Sequence, residues 1–179
     1  ALVQVTRICD PNNHTVEGCP GDDRFYIQGS GNLTLNGGWG ADKYFVSTGV
    51  SKDTFTGPAP GYVYNDDFPL PSMVGDLSGI EGTFVINGWA DGNGGLKDRL
   101  YISDLGNNAD ANGYLNDALT GLSLPAGGSL GFDDVEQVEI QLGGGSNTFG
   151  IQRLAASVHA TIYAGAGNDT LHVGYADHS

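Results

Sequence analysis

Five positions in this sequence pair a short oxygen-bearing side chain with a glycine-rich turn: Asp23, Asp42, Asp98, Asn147 and Asp169. Glycine stands two residues before four of them, and Leu96 takes that place before Asp98. A glycine turn can aim peptide carbonyls and a carboxylate at one point, because no Cβ obstructs the bend. Oxygen donors in loose geometry suit calcium, whereas magnesium wants a stricter octahedron and zinc wants His or Cys. Asp22 and Asn168, directly before two of these positions, complete the candidate metal-ligand set.

The elements that must hold these turns are legible beside them. Phe25, Tyr44, Leu100, Phe149 and Leu171 follow by two residues, and Ile27, Val46, Ile102, Ile151 and Val173 by four. This alternation predicts a half-buried strand after each turn. Val16, Leu35, Ile140 and Ile162 stand seven residues ahead of Asp23, Asp42, Asn147 and Asp169, which predicts a second inward-facing strand per repeat. Internal repetition of this kind is the mark of a solenoid, and one all-β domain over residues 1–179 is expected. Two stretches break the pattern and are expected as excursions. One spans about 47–79, with Pro58, Pro60, Pro69 and Pro71; the other spans about 103–131, where Asn107 to Leu124 is a candidate short helix.

Composition supports turns and strands over helices. Thirty glycines and thirteen asparagines depress helix propensity, and seventeen Asp against four Glu favour tight corners. A net charge of -14 with only seven Lys and Arg makes nucleic acid and anionic membranes poor partners. No run is apolar for long enough to span a membrane, and no charged-then-apolar leader opens the chain. The absence of an initial Met suggests a mature or excised piece, and the last residues, Tyr175 to Ser179, resemble no cap, which suggests one unit of a longer array or end-to-end assembly. Cys9 and Cys19, flanking a turn-rich loop, read as a disulfide and so as an oxidising, extracellular setting, with two free core thiols as the alternative. Sequons at Asn13 and Asn32 are candidate glycosylation sites; a third, at Asn168, falls in a metal-type turn where a glycan would clash.

Turns stacked in register would bring Asp23 and Asp42 to about one strand spacing, where two carboxylates repel by roughly 3 kcal/mol at an effective dielectric near 20. A cation would offset this, and folding is therefore expected to be calcium-linked. The metal-free alternative is that the same turns are ordinary corners held by Asx hydrogen bonds.

Two stretches carry a family resemblance: G-G-W-G-A-D-K-Y-F-V from Gly37 and A-G-A-G-N-D-T-L-H-V from Ala164. Both resemble the glycine-rich nonapeptide of the RTX, or haemolysin-type, calcium-binding repeats, found in large secreted or cell-surface proteins. The resemblance implies a right-handed parallel β-solenoid, a β-roll or β-helix, with Ca2+ held between successive turns by the Asp and by backbone carbonyls. The sequence departs from that pattern at Cys19-Pro20, at Leu96, at Asn147, and in the excursions between copies.

No H-E-x-x-H or nucleophile elbow is present, and the pairs Asp66-Asp67 and Asp133-Asp134 would point to opposite faces of a strand. A non-catalytic structural module of an extracellular filament, surface layer or adhesin is the expectation, joined end to end with copies of itself or adjacent repeats. The alternative is an auxiliary or carbohydrate-binding module of a secreted polysaccharide-active enzyme, with Trp39, Trp89, Tyr62, Tyr64 and Tyr114 as candidate sugar platforms for surface glycans.

Overall fold

The computed structural model describes residues 3–5, 16–18, 20–50, 73–89 and 98–174. Among them the chain forms strands and no helix. The first seven strands are β1 (Val3–Val5), β2 (Val16–Glu17), β3 (Arg24–Ile27), β4 (Leu33–Asn36), β5 (Lys43–Val46), β6 (Thr83–Asn87) and β7 (Arg99–Ser103). Then come β8 (Asn112–Asn116), β9 (Ala118–Gly121), β10 (Ser129–Asp133), β11 (Gln137–Gln141), β12 (Thr148–Arg153), β13 (His159–Tyr163) and β14 (Thr170–Val173).

They make two sheets. One has the order β1-β3-β5-β7-β11-β13, the other β14-β12-β8-β9-β10-β6-β4-β2. From β2 onward the chain passes back and forth between them, so each strand of one sheet is usually followed by a strand of the other. The alternating pattern explains the core. Phe25, Tyr44, Leu100 and Val138 align across the six-stranded sheet, as do Ile27, Val46, Ile102 and Ile140. They pack against Leu35, Phe84, Ile86, Leu115, Leu119, Leu130 and Phe149 of the eight-stranded sheet in one buried cluster.

The outer face of the six-stranded sheet is also apolar. Tyr26, Phe45 and Tyr101 stack in register, with centroids 5.5 and 4.9 Å apart, and Val50 and Met73 close over them. These two residues bound the segment 51–72, which lies outside the described residues.

Two expectations are corrected. The fold is all-β, but it is not a right-handed parallel β-solenoid with two inserted excursions: the sheets mix parallel and antiparallel pairs. β1 runs antiparallel to β3, and β9 runs antiparallel to both β8 and β10. The stretch 103–131 is no excursion and holds no helix. It contributes β8, β9 and β10 to the middle of the eight-stranded sheet, where they part β6 from β12. Local chemistry drives the reversal: Asp117, the one residue between β8 and β9, takes a φ of 56°, and Gly121 and Leu122 take 78° and 52° at the exit from β9. Asp tolerates this left-handed conformation better than most residues, which lets the strand turn back on itself.

Candidate metal corners and an aromatic cleft

The turn acids stand immediately before strands, and strand pairing places them. Because Arg24 pairs with Lys43 and Lys43 with Arg99, the preceding Asp23, Asp42 and Asp98 form a column. Arg99 pairs with Gln137, which adds Glu136 to the same column. Asp23, Asp42 and Asp98 are 2%, 0% and 3% exposed. Each carboxylate accepts the backbone N–H of the acid before it: Asp23 N–H donates to Asp42 Oδ1 at 2.8 Å, Asp42 N–H to Asp98 Oδ1 at 2.6 Å, and Asp98 N–H to Glu136 Oε2 at 2.8 Å. Charge-assisted bonds of this kind are worth about 1.5–3 kcal/mol each.

Asn147 and Asp169 form a second column, before β12 and β14 of the other sheet, where Asn147 N–H donates to Asp169 Oδ1 at 2.8 Å. The five sequence copies are thus divided between two corners. An outer row runs beside each column in the reverse sense. Ala41 N–H donates to Asp22 Oδ1 at 3.0 Å, Ser146 N–H to Asp110 Oδ1 at 2.7 Å, and Asn168 N–H to Ser146 Oγ at 3.3 Å. Adjacent turns are therefore clasped from both sides.

Electrostatics single out the first corner. Burial, and then the charges of Asp98, Asp42, Asp23 and Glu136, hold the Tyr44 phenol far above the ordinary tyrosine range. Glycines let oxygen atoms crowd together here. A Cβ on Gly37 would strike Asp42 Oδ2 and the Tyr44 hydroxyl, one on Gly88 would strike Asp98 Oδ2 and the Asp134 carbonyl, and one on Gly18 would strike the Gly37 carbonyl. Carboxylates beside peptide carbonyls are a hard, all-oxygen donor set, the chemistry that calcium accepts. Among the described residues no three His, Cys, Asp or Glu side chains converge as a ligand group, and an ion at this corner would need peptide carbonyls beside any one carboxylate.

Asn147 solves the same problem differently. Its Nδ2 donates to the Gly143 and Gly145 carbonyls at 3.2 and 3.0 Å, so an amide meets these oxygens with its own protons. Its Oδ1 is buried without a hydrogen-bond partner. In the Asp42 turn the corresponding Gly38 and Gly40 have φ of 94° and 145°, and in the Asp169 turn Gly165 and Gly167 have 86° and 110°. Gly143 and Gly145 do not adopt this left-handed conformation.

Glu136 was hidden from sequence reasoning by its type, yet its signal was present. Val138 and Ile140 follow by two and four residues, and Asp134, with a φ of 52°, stands where four of the other five copies place glycine. Cys9, Cys19 and Asn13 lie outside the described residues, as do Tyr62 and Tyr64. Asn32 is exposed, and its Oδ1 accepts the Thr83 N–H at 2.9 Å. Trp39 and Trp89, distant in sequence, line one cleft with Gly18, Pro20, Asn36 and Gly38. Tyr114 is 38% exposed on β8, away from that cleft.

The chain matches no protein-family model, no curated protein and no solved structure.

Proposed function

We propose that this chain is a non-catalytic structural module of an extracellular filament, surface layer or adhesin, stiffened by calcium at its acidic corners. The observation that carries the reading is the column Asp23, Asp42, Asp98 and Glu136, in which three carboxylates are buried one strand apart. Asp23 with the Gly37 carbonyl, Asp42 with the carbonyls of its glycine turn, and Asp98 with the Asp134 carbonyl would hold the ion. Asp22 and Asp169 would extend the set at the two rims, while Asn147 and Asn168 contribute amides. When bound, calcium supplies the charge that lets stacked carboxylates share a dry corner. The likeness of the Gly37 and Ala164 stretches to secreted calcium-binding repeats supports the extracellular setting.

The open edges support assembly with copies of itself or adjacent repeats. Among the described residues β13 and β14 end their sheets, and on β14 Leu171 and Val173 are 51% and 74% exposed. Both continue inward-facing rows, Leu171 beside Phe149 and Val173 beside Ile151. An apolar edge of this kind invites strand addition. Sedimentation and electron imaging in calcium are expected to show end-to-end oligomers for the native protein. Oligomers should be lost on Leu171→Lys with Val173→Lys, while the monomer's stability moves by no more than about 0.5 kcal/mol, as for other surface changes. Assembly that survives both lysines would refute the edge as the joint.

A further inference from the structure

We infer that the Trp39–Trp89 cleft is a binding site for a neutral glycan. This deepens the adhesin reading by naming what is held. The two indoles come from turns that follow adjacent strands: β4 pairs with β6, and Asn36 lies beside Asn87. Trp39 is 66% and Trp89 49% exposed, and between them lies a cleft of about 260 Å³. Large flat aromatics usually bury most of their surface, so two exposed on one small cleft form a platform.

The backbone gives a second, independent observation. Trp89 takes a φ of 67°, a conformation that a bulky side chain adopts only at a cost, and its N–H is held by Asn87 Oδ1 at 3.2 Å. Glycine would sit there without strain.

The rim selects the ligand class. Aromatic faces stack on the C–H faces of pyranose rings, and the Asn36 amide and glycine backbone at the cleft offer both donors and acceptors to hydroxyl groups. Asp22 is exposed on the neighbouring turn, and the chain carries a net charge of -14, which repels uronic and sulfated sugars. The volume accommodates one or two sugar rings, so affinity comes from stacking and is modest.

Trp39 and Trp89 are the chain's two tryptophans, and fluorescence excited at the red edge, where the eight tyrosines do not absorb, therefore reports this cleft. The test is a fluorescence and calorimetric titration of the native protein with cellohexaose, xylohexaose and mannohexaose, with heparin, polygalacturonate and a proline-rich peptide as comparators. At least one neutral oligosaccharide is expected to bind. Trp39→Ala and Trp89→Gly should each weaken it at least tenfold, with Tyr114→Ala unchanged. Trp89→Gly also relieves the backbone, so its melting temperature should hold or rise, which separates a lost site from a lost fold. Failure of all three neutral sugars, saturation only by an anionic polysaccharide or by the peptide, or binding indifferent to both tryptophan variants would each overturn the inference. Melting each sample with calcium and with chelator distinguishes this failure from failure of the calcium reading.

Discussion

Phe45→Ala is expected to cost about 3–5 kcal/mol in urea unfolding, the range for truncating a fully buried phenylalanine. Phe45 is 0% exposed and sits between two parallel rings, tilted 12° from Tyr26 and 5° from Tyr101. Truncation removes both stacking contacts and leaves a hole that Val50 and Met73 must span. The other face of the strand is untouched, because Tyr44 and Val46 point into the main core. The experiment thus asks whether the outer face of the six-stranded sheet is a second core. A loss below about 1 kcal/mol would mean that this aromatic row faces water.

Asp42→Ala is expected to lose about 3 kcal/mol, seen as a fall in melting temperature of about 6–12 °C for a chain of this size. The substitution strands the Asp23 N–H in a buried corner, since Asp42 Oδ1 is its acceptor at 2.8 Å. Asp42→Asn is the more telling change. It keeps an oxygen for that N–H and brings two donors, as Asn147 does toward the Gly143 and Gly145 carbonyls. Near-native stability is therefore expected without calcium, together with a smaller response to added calcium. An Asn variant that responds to calcium as fully as the native protein would take Asp42 out of the ligand set. The two substitutions together separate hydrogen bonding from charge.

The corners were legible because their grammar is local. Glycine, a short acid and two apolar residues at alternating positions lie within about seven residues, and strand pairing then brings Asp23 beside Asp42 and Asn147 beside Asp169. The second strand of each repeat could be read the same way, and Val16 does pair with Leu35 and Ile140 with Ile162. Strand direction is not local. Leu115, Leu119 and Leu122 fall at helical spacing, which masks a hairpin whose reversal rests on one positive φ at Asp117. Nothing in the residues of Val3–Val5 says that this strand will lie antiparallel to β3. Likewise, nothing in five similar motifs announces that they serve two sheets and so make two columns. Trp39 and Trp89 meet only because β4 and β6 are neighbours across a long intervening stretch, a contact of topology that no short window of sequence contains.

The most direct test of the acidic corners is calorimetric melting of the native protein in chelator and in millimolar calcium. With a dissociation constant near 0.1 mM, each filled site contributes about 1.4 kcal/mol, or about 3–6 °C. The expected result is a midpoint that rises with calcium by at least one such step. Superimposable melts would mean that backbone N–H groups and neighbouring side chains alone carry the charge of Asp23, Asp42, Asp98 and Glu136, and would contradict the account.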